Sequence, residues 1–137
     1  MSAARIDLLI ANSAGYDQIV RAAMALGEAQ SARAVVLFGA EAFAFRPRPS
    51  TILVPHMPAG VIACVPALEE FGIASRLAST AGLPGCFDGT VTELAAQWLG
   101  ALEPDTLRQV QLTASGDAGL MSEVEQLARR FNLATGG

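Results

Sequence analysis

The sequence contains no lysine, and its nine basic residues are all arginines scattered along 137 residues. Thirteen acidic residues leave a formal net charge of −4 at pH 7, so there is no basic surface of the kind that binds nucleic acid. Only two cysteines occur, Cys64 and Cys86. They lack CxxC spacing and are too few for an iron–sulfur cluster, so we expect buried thiols and no metal site.

Other features are also missing. The N-terminus has no basic segment followed by an apolar run, and no apolar stretch is long enough to cross a membrane, which predicts a cytoplasmic protein. Histidine occurs once, at His56 between Pro55 and Pro58. With no neighbouring ligand or nucleophile in the pattern, we expect a structural or partner-contact role for it. The sequence therefore predicts no catalytic residue.

What the chain does contain is an alternation of apolar runs and amphipathic segments. Runs bounded by glycine or polar residues predict buried strands, and apolar positions at helical spacing predict helices between them. The predicted strands are 5–11, 34–38, 73–78 and 109–113, and the predicted helices are 16–29, 90–99 and 120–131. This order predicts one α/β domain over residues 1–137, a Rossmann-like three-layer sandwich with a parallel sheet of about five strands.

Some finer expectations follow from single positions. Trp98 falls on the apolar face of its helix and should anchor the core, and Asp117 should cap the last helix. Prolines exclude a long helix in 43–66, where we expect a strand at 51–54 and either a strand at 61–65 or a short helix ending near Phe71. Residues 134–137 should be loose.

Two segments carry a resemblance, RPRPSTILVPHMPAG at 46–60 and EEFGIASRLASTAGLPGCFDGTVTELAAQWL at 69–99. They resemble the NAD-binding domain of ferredoxin–NADP reductase-like proteins, and within that family the dihydroorotate dehydrogenase electron-transfer subunits; the resemblance extends over residues 6–133. It implies an NAD(H)-binding, electron-transfer-type module. The family's flavin-binding barrel and its 2Fe–2S segment have no counterpart in the chain, so the resemblance implies no FAD site, no cluster ligands and the need for a flavoprotein or dehydrogenase partner subunit.

The resemblance also implies a cofactor cleft at the carboxyl ends of the strands. Its expected lining is Gly15, Ser79, Thr80, Ser115 and Gly116. In the family the first loop is rich in glycine, whereas in this chain it keeps one glycine. The last loop of the family reads Cys-Gly-Pro-x-Pro-Met. The matching residues 115–120 keep the glycine but have serine in place of cysteine and lack both prolines. The 79–82 loop, near the adenosine ribose in relatives, has no basic residue, which favours NADH over NADPH, although Arg76 lies just upstream.

The altered loops support a second hypothesis, a protein-interaction or regulatory module, or a homodimer, whose dinucleotide site has degenerated. In that case Phe43 and Phe45, if exposed, would belong to a contact surface. A side chain of Asn12, Tyr16 or Asp17 that fills the space over Gly116 would exclude dinucleotide binding.

Two residues keep alternative interpretations. Glu41 faces either a ribose hydroxyl or solvent, and Cys86 is either packed beneath its loop or reactive at a helix N-terminus.

Overall fold

A computed structural model describes residues 5–135 of the chain. Within this range strands and helices alternate, as the apolar runs predict. The strands are Ile6–Asn12 (β1), Ala34–Gly39 (β2), Arg48–Pro49 (β3), Ala63–Cys64 (β4), Ala74–Ser79 (β5), Phe87–Asp88 (β6), Val110–Ser115 (β7) and Ala134–Thr135 (β8). The helices are Tyr16–Met24 (α1), Glu28–Ser31 (α2), Pro66–Glu70 (α3), Val91–Ala101 (α4), Pro104–Leu107 (α5) and Ala118–Phe131 (α6).

The main sheet of the described chain is parallel and has six strands in the order β6-β5-β2-β1-β7-β8. The chain moves outward from β1 to β2 and β5, and then returns to the other side of β1 to form β7. The strand order therefore reverses between β1 and β7, and in open α/β sheets ligands bind outside the carboxyl ends of strands at such a reversal. This confirms the predicted Rossmann-like α/β sandwich.

The core lies on both faces of this sheet, because successive residues of a buried strand point to opposite sides. On one face Leu8 and Ile10 pack with the helices α4 and α6, and on the other Leu9 packs with α1 and α3. Trp98 is the large anchor of the first face, as predicted, and is only 4% exposed. The two central strands are thus covered on both sides, which is why they read as continuous apolar runs.

Side chains at their N-termini fix where α4 and α6 begin. The Thr90 hydroxyl accepts a hydrogen bond from the Glu93 backbone N–H at 3.2 Å, and the Glu93 carboxylate accepts one from the Thr90 N–H at 2.8 Å. Asp117 accepts a hydrogen bond from the Leu120 N–H at 2.9 Å, which confirms it as the N-cap of α6. Each helix therefore starts at the carboxyl edge of the sheet with one of its first N–H groups bonded to a capping side chain.

The proline-containing region differs from expectation. Residues 51–54 are not a strand, and the antiparallel pair β3–β4 forms on either side of them instead. Pro66 occupies the first turn of α3, where its missing N–H costs nothing. The two-residue strands β6 and β8 were not predicted, and β8 pairs with β7 although 134–135 were expected to be loose. Gly136 and Gly137 lie outside the described residues.

We call residues 50–58 the strap, because they cross the molecule without regular structure yet are held at several points. The Arg76 guanidinium donates a hydrogen bond to the Ile52 carbonyl at 2.6 Å, and the Trp98 indole N–H donates one to the Pro55 carbonyl at 2.9 Å. Glu69 on α3 accepts hydrogen bonds from Ser50 Oγ at 2.8 Å and from the Thr51 N–H at 2.7 Å. These contacts satisfy strap polar groups that the absent strand would have paired.

No helix among residues 5–135 is both long enough and apolar enough to cross a bilayer.

The anchor at Glu69 makes stability depend on pH. Burial acts to raise the pKa of Glu69, but hydrogen bonds from Thr51, Ser50 and Cys64 outweigh it and lower the pKa below its ordinary value of 4.5. A lowered native pKa stabilises the fold above pH 4.5, and this contribution is lost as pH falls through the lowered value. We therefore expect Glu69→Gln to lower the free energy of unfolding at pH 7, with the difference from wild type shrinking below pH 4.5.

The measurement is urea unfolding of both proteins between pH 3 and 7, with Glu70→Gln as the control. Glu70 is the exposed neighbour on the same helix, so its substitution should leave the free energy of unfolding nearly unchanged. A Glu69→Gln difference that stays constant across the range would contradict the role given to the Glu69 charge.

Candidate functional site

A cavity of about 280 Å³ opens at the carboxyl edge of the main sheet. It lies over the ends of β1, β2 and β5, and the first turns of α4 and α6 form its other wall. We call it the carboxyl-edge cavity; Asn12, Glu41, Ser79, Thr80, Val91 and Leu120 are among its lining residues. A cleft in this place, next to the reversal of strand order, is where the fold presents ligands.

The crevice directly between β1 and β7 is closed by the backbone itself. The short turn Ser13–Gly15 after β1 folds onto the loop after β7, and a Cβ added at Gly15 would overlap the carbonyl group of Ser115. Gly15 therefore serves as the contact point between the two loops, because only a residue without a side chain fits there.

Asn12 occupies the adjacent space. A Cβ added at Gly116 would lie 2.5 Å from the Asn12 side-chain oxygen, so this amide covers Gly116. That oxygen is buried and has no hydrogen-bond partner within the described residues. Tyr16 instead packs against Phe38 with its ring tilted and 4.6 Å between ring centroids, while Asp17 is exposed. Asn12 is therefore the side chain that fills the space over Gly116, which is the arrangement expected to obstruct a dinucleotide there.

The five residues expected to line one cleft are thus divided between two places. Ser79 and Thr80 line the carboxyl-edge cavity, whereas Gly15, Ser115 and Gly116 belong to the closed contact beside it. The Ser115 hydroxyl donates a hydrogen bond to the Gln18 side chain at 2.8 Å. Its proton is therefore already used within the protein.

All the ionisable side chains that line the carboxyl-edge cavity are acidic. Glu41, Asp117 and Glu123 are its ionisable lining residues, and no arginine is among them. Arg76 is buried under the strap, where it donates to the Ile52 carbonyl and, at 2.6 Å, to the Ser75 carbonyl. Burial lowers the pKa of its guanidinium, although the charge of Glu69 acts in the opposite direction. Arg76 therefore provides no partner for a ligand phosphate in the cavity.

Glu41 follows the end of β2 and is exposed at the cavity mouth. Its carboxylate accepts a hydrogen bond from Thr80 Oγ1 at 3.4 Å, and its backbone carbonyl accepts one from Ser79 Oγ at 3.3 Å. These contacts hold the end of β2 against the loop after β5. An acidic side chain at this position has the geometry that dinucleotide-binding folds use for a ribose hydroxyl.

The helix N-termini that could attract a phosphate each have an acidic side chain in place already. Asp117 caps α6, and the carboxylate of Glu93 caps α4, where hydrogen bonds from the Thr90 backbone and side chain lower the pKa of Glu93. Both ends therefore carry a negative charge against the positive end of the helix dipole. An incoming anion would have to displace them.

Two acidic residues of the cavity were not identified as site residues from the sequence. Glu123 lies on α6 and accepts a hydrogen bond from Thr92 Oγ1 on α4 at 2.7 Å, which joins the two helices at the mouth. Asp117 was identified only as a cap. The available signal was positional, since a helix that begins at the carboxyl edge places its first two turns beside the strand ends.

Two other expectations are resolved. Cys86 is half-buried against the core on the α1 face, and burial raises the pKa of its thiol, so the packed interpretation is confirmed. Phe43 and Phe45 stack with each other at 5.3 Å between centroids and pack on Phe38, so they lie at the edge of the core on the α1 face. They are half-buried rather than presented outward.

Comparisons with protein-family models, with curated proteins and with solved structures find no match to this chain.

The closed crevice makes a prediction about Gly15. Gly15→Ala should lower the free energy of unfolding by about 1–3 kcal/mol, because the new methyl group must push the Ser115 carbonyl away. Gly100→Ala is the control, since a Cβ at Gly100 meets no atom within 4 Å and the residue lies in α4. That change should raise stability by about 0.5–1 kcal/mol. Equal stabilities of the two variants in urea unfolding would contradict the contact.

Proposed function

We propose that this chain is a reductase-type nucleotide domain that has kept the adenosine end of its site and lost the nicotinamide end. In this role it serves an electron-transfer assembly as a non-catalytic nucleoside-binding module. The observation that carries the proposal is the division of the predicted site, with Glu41, Ser79 and Thr80 at an open cavity and Gly15, Ser115 and Gly116 in a closed contact.

The open half has what a nucleoside needs. Glu41 at the cavity mouth can accept hydrogen bonds from a ribose diol. Val91 and Leu120 supply apolar surface for a base.

The other half argues against hydride transfer by this chain. A nicotinamide ring between β1 and β7 would need the space taken by the Gly15–Ser115 contact and by Asn12. The three acidic lining residues and the two capped helix N-termini also oppose a pyrophosphate. Any flavin and any reducing nicotinamide in the assembly would therefore be held by a partner flavoprotein or dehydrogenase subunit.

An interaction or regulatory module without any ligand is the competing function, and a homodimer is one form of it. The surface expected to serve it, Phe43 and Phe45, packs against Phe38 and Tyr16 instead, which leaves this alternative with less support. Free thiols at Cys64 and Cys86 fit a reducing compartment, and we propose a cytoplasmic location.

Calorimetric titration with adenosine, AMP, ADP-ribose and NADH tests the proposal. We expect saturable binding of adenosine at millimolar concentration, with affinity falling as phosphate charge is added. Glu41→Gln should weaken adenosine relative to 2′,3′-dideoxyadenosine, because the carboxylate contacts the ribose hydroxyls. Glu125→Gln, an exposed change on α6 outside the cavity lining, is the control.

No heat with adenosine from the folded protein would overturn the proposal and favour the ligand-free interaction module. Tighter binding of NADH than of adenosine would overturn it in the other direction, since it would require a working pyrophosphate and nicotinamide site.

A further inference from the structure

A second cavity, of about 370 Å³, lies at the edge of the main sheet opposite the carboxyl-edge cavity. Its lining includes Ile6, Ala34 and Ala74, at the amino ends of β1, β2 and β5, together with Trp98 on α4. Residues 52–56 of the strap form another wall. We call it the amino-edge cavity. Its volume falls in the range of small-molecule sites, and neither the resemblance nor the proposed function assigns it a role.

The walls of the amino-edge cavity are mostly carbon surface. Val54 from the strap and Trp98 from α4 are buried, and both line it. Val35 and Ala74, which pair across β2 and β5, line it too and belong to the same core cluster as Val54 and Trp98. No aspartate or glutamate is among its lining residues within the described chain. Walls of this kind favour a ligand that covers apolar surface.

Hydrogen bonds hold the strap wall in place without a ligand. The Trp98 indole N–H donates to the Pro55 carbonyl at 2.9 Å, and the Arg76 guanidinium donates to the Ile52 carbonyl at 2.6 Å. His56 has a φ of 71°, a left-handed backbone that few non-glycine residues adopt and that persists where surrounding contacts hold it. The wall is therefore preformed, and these two carbonyl groups already have donors.

The cationic side chain in the lining is also engaged within the protein. The Arg33 guanidinium donates through Nε to the Arg5 carbonyl at 3.0 Å and through Nη2 to Gln109 Oε1 at 3.4 Å. His56, the other ionisable lining residue, is exposed to solvent. A ligand charge set against the buried walls would therefore lose its hydration without gaining a partner there, which is unfavourable. An uncharged ligand has no such penalty.

Exposed apolar surface is confined to the rim. Leu53 is 84% exposed, and of the exposed large hydrophobic residues in the described part of the chain it is the one that lines this cavity. The remaining apolar surface lies inside the cavity, whereas a protein–protein interface needs a broad apolar patch outside it. This distribution favours a small molecule that enters the cavity and is covered by the Leu53 side chain.

We propose that the amino-edge cavity binds a small, uncharged aromatic or alicyclic molecule. The ring lies against Val54 and Trp98, and Leu53 covers it from the rim. This site is independent of the nucleoside site, because the two cavities open at opposite edges of the sheet.

Trp98 supplies the readout for a test on the full chain, because it is the single tryptophan and lines the cavity. A bromine atom quenches indole fluorescence on contact. The probes are 4-bromotoluene and 4-bromobenzoate, which share one ring and differ in charge. Quenching by 4-bromotoluene should saturate. 4-Bromobenzoate should bind at least about tenfold more weakly, because its carboxylate has no partner at the buried walls.

Leu53→Ala tests the cover at the rim. It should weaken 4-bromotoluene about threefold to tenfold, because it removes apolar surface that the ligand would bury. Ile62→Ala is the matched control, since Ile62 is a half-exposed aliphatic residue outside the cavity lining. Its substitution should leave the affinity unchanged. Both side chains are exposed, so both variants should fold as the wild type does.

Ala74→Leu tests the cavity from the inside. The larger side chain should abolish saturable quenching while the urea unfolding midpoint stays the same or rises, because the new atoms fill empty space. In the wild type, 4-bromotoluene should move amide chemical shifts near Val35, Leu53 and Ala74.

Four results would each overturn the proposal. They are quenching by 4-bromotoluene that does not saturate, equal affinity for the two probes, equal effects of Leu53→Ala and Ile62→Ala, and chemical shifts that cluster near Glu41 and Leu120 instead. A dimer in analytical ultracentrifugation that Leu53→Ala dissociates would also overturn it, by showing that a second copy covers this surface.

Discussion

The contact between Gly15 and the carbonyl group of Ser115 decides what the carboxyl edge of this sheet can do. It joins the loop after β1 to the loop after β7 at the point where the strand order reverses, which is the position an α/β sheet normally leaves open for a ligand. Because one glycine closes that position, the open space is displaced toward β2 and β5. There the loop after β2 contributes Glu41, the last residue of β5 is Ser79, and Thr80 follows it.

The two edges of the sheet are chemically distinct. Acidic residues line the carboxyl-edge cavity, whereas the amino-edge cavity, of about 370 Å³ at the amino ends of β1, β2 and β5, is lined by Trp98 and the strap and has no acidic lining residue. Hydrogen bonds from Arg76 and Trp98 to carbonyl groups of the strap hold it where it lines the amino-edge cavity. The strap, which belongs to the 46–60 segment of the resemblance, thus forms a wall at the edge opposite the carboxyl-edge cavity. Buried polar anchors of this kind hold an irregular segment in one conformation.

Much of the fold could be predicted from sequence, because it depends on local patterns. The apolar runs gave β1, β2, β5 and β7 to within two residues, and Asp117 and Trp98 have their predicted roles. The strap was misassigned as a strand at 51–54 because the sequence TILV there is a short run of residues that favour strands, while the hydrogen-bond partners of this segment come from distant residues. The two-residue strands β6 and β8 are too short to carry a periodic pattern.

The site was harder to predict for a similar reason. Five expected residues were divided by a contact between positions a hundred residues apart, Gly15 and Ser115, and no local pattern reports such a contact. The left-handed backbone of His56 is equally invisible in the sequence, which shows only a lone histidine between prolines. Local propensity thus predicts the elements, whereas the shape of a cavity depends on tertiary contacts.

The most direct measurement is saturation-transfer-difference NMR with NADH, which reports which end of the dinucleotide contacts the protein even when binding is weak. We predict that saturation reaches the adenine protons and the attached ribose and leaves the nicotinamide protons unsaturated. Saturation of the nicotinamide ring equal to that of adenine would show that the space between β1 and β7 is open in solution, and would contradict the division of the site.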